Sequence, residues 1–292
     1  LPLLIFFAVV FFSCGKDPVQ PPVTPPVTPP DDTVVAVIAK TITDVSYGTD
    51  PLQKLDAYFP KDRSANSTKS IVLIHGGSWE SGDKTELTEF VDTLKGRLPD
   101  YAIFNINYRL STNGINIFPT QEMDVKSALQ YIVDNASKYL ISKKIVLLGV
   151  SAGGQLALLQ AYKYNTPVVP AAVVSFYGPT DLTAMYNDPT DALIPPALAE
   201  IIGKTPSQDP AIYINSSPLN FVTSTSPPTI FFQGGMDSLI KVTQATSLQS
   251  KLNSAGVVNQ YVYYAEEGHG WLGPNLFDSF NKIQAFLSTN VK

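Results

Sequence analysis

The run IVLLGVSAGGQLALLQAY, residues 145–162, changes its periodicity half-way along. Residues 145–150 are apolar apart from Gly149 and too few for a helix, as expected of a strand buried on both faces. Residues 155–162 are rich in the helix formers Gln, Leu and Ala. Between the two lies Gly149-Val150-Ser151-Ala152-Gly153, a match to G-x-S-x-G. Alone, that pentapeptide is weak. With a strand running in and a helix running out, it describes a tight, strained elbow that exposes the serine oxygen beside the unpaired N–H groups of a helix N-terminus. A serine at this place is equally an ordinary helix N-cap, so the surrounding residues must decide.

Upstream, residues 34–39, 41–47 and 54–59 read as strands, the last two joined by a turn at Gly48-Thr49-Asp50-Pro51. A buried strand follows at 71–74, a helix at 85–98, a strand at 102–107 and a helix at 120–138. Downstream, strands are expected at 171–177, 229–233 and 260–265, with helices at 242–255 and 276–287. Antiparallel strands followed by this alternation imply an α/β fold: a central, mostly parallel sheet with helices on both faces, in one domain over residues 34–292. Residues 178–228 break the alternation. Prolines 179, 189, 195, 196, 206, 210 and 218 leave only short helical patterns there, such as 197–202. So long a connection is either a small cap insertion over the carboxyl edge of the sheet or a packing excursion.

Residues 1–14 are nearly all apolar, too few to span a bilayer comfortably, and end at the lone Cys14. They read as a signal peptide, and the Ser-Cys-Gly-Lys-Asp run resembles a bacterial lipoprotein leader in which Cys14 would be lipidated. Phe11 and Phe12 depart from that pattern, and an ordinary signal with an incidental cysteine stays open. Residues 15–33 carry Gln-Pro-Pro-Val-Thr-Pro-Pro-Val-Thr-Pro-Pro, a polyproline spacer that cannot join a packed core. The expected address is therefore outside the cytoplasm: a membrane-anchored lipoprotein of the periplasm or cell surface, otherwise a secreted protein.

Of the 292 residues, 44% are hydrophobic and 15% charged, enough to bury a large core. A net charge of −5 with no basic block argues against nucleic-acid partners, and membrane contact is expected only through the leader. One cysteine excludes a disulfide framework, a Cys-based zinc site and an iron–sulfur cluster. No P-loop or G-x-G-x-x-G is present, so neither a metal nor an organic cofactor is implied. Histidine chemistry must use His75 or His269, the two in the chain.

His75-Gly76-Gly77-Ser78-Trp79 follows the buried strand at 71–74 directly. Its glycines let backbone N–H groups turn inward at the sheet edge where the Ser151 elbow also emerges. An acyl-transfer reaction needs such donors where the carbonyl oxygen becomes negative. Gly77, Ser78 and Ala152 are the expected donors, and His75 is expected to brace the loop. His269 lies between glycines after the last strand, and Asp237 follows the strand at 229–233 through Gly234-Gly235-Met236. The order Ser151, Asp237, His269 suits nucleophile, acid and base on a sheet of this kind. Asp181, one strand earlier, is the rival acid. A histidine base implies a rate that falls below about pH 6–7, the ordinary imidazole range.

With these motifs in place, the chain resembles the α/β-hydrolase superfamily over roughly residues 41–287. The likeness is to the carboxylesterases with a His-Gly-Gly-x-Trp oxyanion loop: hormone-sensitive-lipase-like, arylformamidase and feruloyl or acetyl esterases. Gly82-Asp83-Lys84, Asn107-Tyr108-Arg109-Leu110 and Tyr177-Gly178 with Asp181-Leu182 share in it. Ser78, in place of a third glycine, leans toward the feruloyl/acetyl or formamidase branch. The resemblance implies a serine carboxylester hydrolase acting through a Ser-His-Asp triad and an acyl-enzyme, on short-chain or aryl esters, including esters linked to plant polysaccharide. Trp79 and Trp271 flank the site and are expected either to line a substrate pocket or to pack in the core. Arg109 is expected to form a structural ion pair with Asp124. An amidase, formamidase or exopeptidase with the same triad stays open, as does a non-catalytic surface-binding lipoprotein.

Overall fold

The computed structural model describes Ala8, Gly15 and residues 37–292. Apart from those first two residues, the leader with Cys14, the proline-rich spacer and residues 34–36 lie outside the described residues. The strand expected at 34–39 finds no counterpart in residues 37–39, which are irregular; the Val37 carbonyl accepts from Asp62 N at 2.7 Å in a loop contact rather than a ladder.

Eight strands make one sheet among the described residues: β1 (Lys40–Ser46), β2 (Lys54–Phe59), β3 (Lys69–Ile74), β4 (Tyr101–Ile106), β5 (Ile145–Val150), β6 (Ala172–Phe176), β7 (Thr229–Gly234) and β8 (Asn259–Tyr264). Their order is β1-β2-β4-β3-β5-β6-β7-β8. β2 runs antiparallel to both neighbours, and every later pair is parallel. The helices are α1 (Thr88–Arg97), α2 (Thr120–Asp134), α3 (Ala136–Tyr139), α4 (Ala152–Lys163), α5 (Leu182–Asn187), α6 (Ile194–Ile202), α7 (Pro210–Asn215), α8 (Val242–Ser254) and α9 (Gly273–Asn290).

Successive side chains of a strand point to opposite faces, and β3 shows what each face buries. Val72 and Ile74 join the core under α2, α4 and α8, while Ile71 and Leu73 join the core under α1 and α9. Both sets are fully buried, which is why a run of apolar residues without alternation marks this strand. The helix expected at 85–98 begins as a 3-10 turn, Lys84–Leu87, which Asp83 caps by accepting from Thr85 N at 2.8 Å on Oδ1. The helix expected at 120–138 divides at Asn135, and α3 closes on Leu140 in the left-handed region, φ 54°.

The predicted Arg109–Asp124 pair is present. Arg109 Nη2 lies 2.7 Å from Asp124 Oδ1 and Nε 2.9 Å from Oδ2, and the Asp124 carboxylate is fully buried. Gln53 Nε2 donates to the same carboxylate at 2.7 Å, tying the β1–β2 turn to α2.

The sheet order reverses at β3. From there β4 lies on one side and β5 on the other, so the crevice between the carboxyl ends of β3 and β5 is a topological switch point, where open α/β sheets bind ligands. Register pairs Ile74 with Gly149, which brings the loop after Ile74 and the elbow at Ser151 to the same edge. Residues 178–228 fold as α5, α6, α7 and a 3-10 turn at Pro218–Phe221.

Candidate active site

At the end of β5 the chain turns so sharply that Ser151 takes φ 54°, ψ −120°. This is strained for a residue with a Cβ, and such strain persists only where the surroundings enforce it. Here the two flanking glycines are the enforcement. A Cβ on Gly149 would lie 2.0 Å from the Gly153 carbonyl oxygen, and one on Gly153 would lie 2.1 Å from that of Ile74. Ser151 N donates to Phe176 O at 2.9 Å, which fixes the elbow against β6. The side chain makes no capping bond to α4, so the ordinary N-cap reading of this serine does not hold.

Ser151 Oγ lies instead 2.9 Å from His269 Nε2, and His269 Nδ1 lies 2.9 Å from Asp237 Oδ2. A carboxylate can only accept, so Nδ1 carries a proton toward Asp237 and, in the neutral ring, Nε2 is left to accept from the serine hydroxyl. The Asp237 side chain is fully buried. Burial pushes its carboxyl up, but the hydrogen bond and charge of His269 and the N–H groups of Ile240 and Leu239 outweigh that and hold it below the ordinary value. Both N–H groups reach Oδ1 at 2.9 Å. Asp181, the rival acid, is occupied elsewhere: it caps α5, accepting from Ala184 N at 3.0 Å.

Opposite the elbow, Gly77, Ser78 and Trp79 have φ of 98°, 52° and 62° in succession. The turn closes so tightly that a Cβ on Gly77 would lie 2.1 Å from the Ser81 carbonyl oxygen. Among the described residues the N–H groups of Gly77 and Ser78 donate to no protein acceptor, and that of Ala152, at the first position of α4, has no acceptor within its helix. His75 braces this loop as expected. It is fully buried, its Nδ1 lies 2.8 Å from Gly76 O, and its ring stacks on Tyr108 at 4.3 Å. The Tyr108 hydroxyl in turn donates to the carbonyls of His75 and Gly76 at 3.1 Å.

A cavity of about 80 Å³ opens on Ser151 and His269. Ser78, Trp79 and Ala152 line it on the sheet side, Leu239 and Ile240 beyond Asp237, and Pro179, Met185 and the α6 face Ile194, Ala197, Leu198 and Ile201 from the 178–228 segment. Gly77 is not among the lining residues, although its neighbour Ser78 is. The two tryptophans part company. Trp79 faces the cavity while its Nε1 donates to Gln155 Oε1 at 3.0 Å. Of the two expectations for Trp271, pocket lining is corrected and core packing holds: its Nε1 donates to Ser279 Oγ on α9 at 3.1 Å, and its ring packs edge-on against Tyr177 and Tyr264. Proximity to His269 in sequence did not carry it into the cavity, because α9 holds it by that hydrogen bond.

The BD-FAE family model matches residues 55–252, from β2 to α8, a stretch that includes Ser151 and Asp237 and stops short of His269. The chain belongs to the BD-FAE family. Within the wider α/β-hydrolase fold, it is similar to Esterase LipC of Mycobacterium tuberculosis, 26% identical over 78% of this chain and 59% of the relative. It is also similar to the probable carboxylic ester hydrolase LipM of the same organism, 30% identical over 76% of this chain and 54% of the relative. The chain thus spans little more than half the length of these two curated relatives. A truncated form of a carbohydrate esterase from gut microbiota matches at TM-score 0.75 and 26% identity, over 87% of this chain and 97% of that structure.

Two residues of this BD-FAE member's site had no role assigned to them from the sequence. The Tyr177 ring meets His269 edge-on at 4.6 Å, and the Gln233 amide donates to Asp237 Oδ2 at 2.9 Å. Tyr177 directly follows β6 and Gln233 is the penultimate residue of β7, and that place at the carboxyl edge of the sheet was the one available signal.

Proposed function

We propose that the protein is a serine carboxylester hydrolase with Ser151 as nucleophile, His269 as base and then acid, and Asp237 as the group that fixes the imidazole. Ser151 Oγ attacks the ester carbonyl carbon as its proton passes to His269 Nε2. The carbonyl oxygen becomes an oxyanion facing the N–H groups of Gly77, Ser78 and Ala152. The C–O bond to the alcohol then breaks, with His269 returning the proton to the leaving oxygen. Water repeats the sequence on the acyl-enzyme and releases the acid. The observation that carries this reading is the pair of 2.9 Å contacts that join Ser151, His269 and Asp237 in a line.

The cavity and one structural relative support a substrate class. A space of about 80 Å³, walled by apolar side chains on the α6 face, suits a small acyl group such as acetyl. The similarity to a carbohydrate esterase supports esters carried on polysaccharide as the substrate class. The test is turnover of p-nitrophenyl acetate, butyrate and octanoate by wild type and Ser151→Ala. Turnover that favours the short esters and vanishes in the variant is the expected result. A folded wild type that cleaves none of them, or a Ser151→Ala variant that cleaves them as well as wild type, would sink the reading.

A further inference from the structure

We infer that Gln233 is a positioning residue of this site, one that holds Asp237 Oδ2, the oxygen that also receives His269 Nδ1, in the orientation the imidazole needs. The inference rests on the triad reading above. Gln233 is the penultimate residue of β7 and 1% exposed, next to the buried apolar pair Phe231 and Phe232. A buried amide costs stability unless its hydrogen bonds are made, so its presence in an apolar strand calls for a use. Its Nε2 donates to Asp237 Oδ2 at 2.9 Å and to the Ile240 carbonyl at 3.0 Å, with the Gly234 carbonyl farther off at 3.3 Å. All three neighbours are acceptors. The amide therefore has one workable orientation, with both hydrogens directed at the turn from Asp237 to Ile240.

The geometry accounts for the whole carboxylate. Two oxygens offer about four lone-pair positions. Oδ1 takes the N–H groups of Leu239 and Ile240, and Oδ2 takes Gln233 and His269. With every position filled, the carboxylate cannot rotate about its Cβ–Cγ bond without breaking a bond, and the imidazole meets an acceptor at one fixed angle. Gln233 also shares the electron density of Oδ2 with the imidazole. Removing it would leave that oxygen freer to turn and a stronger acceptor toward the ring.

The test compares Gln233→Met, which matches the length without a donor, and Gln233→Glu, which matches the shape. For Gln233→Met on p-nitrophenyl acetate, kcat is expected to fall on the order of 10–100-fold, by analogy with the loss of supporting hydrogen bonds around metal-binding histidines and carboxylates. KM should stay within about twofold, since no substrate-facing atom changes. The acid limb of its kcat/KM profile moves to higher pH, because a carboxylate that has lost a donor retains the imidazolium proton more strongly. Gln233→Glu donates while its carboxyl is protonated and repels Asp237 once ionised, so its profile gains a falling alkaline limb that wild type lacks. Wild-type kcat and an unmoved acid limb in Gln233→Met would overturn the inference, as would a wild-type profile in Gln233→Glu. If the Met variant fails to fold, the Glu profile decides. A readout independent of turnover separates this inference from the triad reading: the downfield proton resonance of His269 Nδ1–H, identified by its loss in His269→Ala. It is expected to shift in Gln233→Met whether or not the protein cleaves esters, and an unshifted resonance counts against the positioning role alone.

Discussion

His75 shows how much one buried side chain can commit the molecule to. Burial lowers its pKa from the ordinary 6.5, although the Gly76 carbonyl and the carboxylates of Glu86 and Asp83 pull the other way. Its Nε2 is buried with no partner among the described residues, so a proton added there would find no acceptor. The unfolded chain takes up that proton near pH 6.5 and the folded chain only at lower pH, so between those values the unfolded state binds more protons. Stability conferred by the neutral ring is therefore complete above about pH 6.5 and is lost as pH falls toward the folded value, by at most about 1.4 kcal/mol per pH unit. Denaturant unfolding at a series of pH values from 7.5 to 4.5 should show this slope in wild type and a flatter one in His75→Gln. Equal slopes would remove His75 from the account. The same burial explains why the residue was legible as a brace, sitting between an apolar strand and two glycines, while the Gln233 contact was not. A hydrogen bond from the end of a strand back to the turn four residues on depends on the path of that turn, and composition does not carry it.

The helix α6 presents Ile194, Leu198 and Ile201 to the cavity, at spacings of four and three that place them on one face. Leu198 is buried and lines the space that opens on Ser151, so shortening it should enlarge that space and lengthen the acyl group accepted. Leu198→Ala is expected to raise kcat/KM for p-nitrophenyl octanoate relative to acetate by severalfold. The accompanying loss of stability should lie near the low end of about 2–5 kcal/mol, since the gap adjoins a cavity already present. A ratio equal to that of wild type would show that α6 does not bound the acyl group. Elements of the sheet were readable because their pattern is local: β2 and β5 have the limits expected, and the others differ by a residue or two. The short helices α5 and α7 were not, since six residues, fewer than two turns, are too few to show a periodicity of their own. Each is fixed by an aspartate cap and a few tertiary contacts, Asp181 for α5 and Asp209 for α7.

Across the whole molecule, the Arg109–Asp124–Gln53 cluster joins the loop after β4, the first turns of α2 and the β1–β2 connection. These lie far apart in sequence, so the cluster closes the antiparallel end of the sheet onto its parallel part. Arg109 approaches Asp124 with two side-chain nitrogens and its own backbone N–H at 2.8 Å, a geometry that the single ammonium of lysine cannot copy. Arg109→Ala, which leaves a buried carboxylate without its cation, is expected to cost about 3 kcal/mol. KM for p-nitrophenyl acetate should not change, because Arg109 lies outside the cavity lining. A raised KM with an unchanged melting temperature would assign the residue to substrate instead. This pairing was readable from the order of strand, loop and helix. The path of the chain after His269 was not: Trp271 stands two residues beyond the imidazole, yet α9 draws it to Ser279.

The loop from Gly77 to Trp79 offers its donors from the main chain, through three successive left-handed residues. Chemistry stored in this way has an unusual mutational profile. Exchanging the Ser78 hydroxyl for another small polar group leaves the donors in place, because the hydroxyl does not supply them. A β-branched residue at 77 or 78, harmless by any measure of polarity, pushes the backbone toward the ordinary basin and withdraws the N–H groups altogether. The weak point of this half of the site is thus its handedness: torsion angles hold the N–H groups in place, and the functional groups that a sequence displays do not.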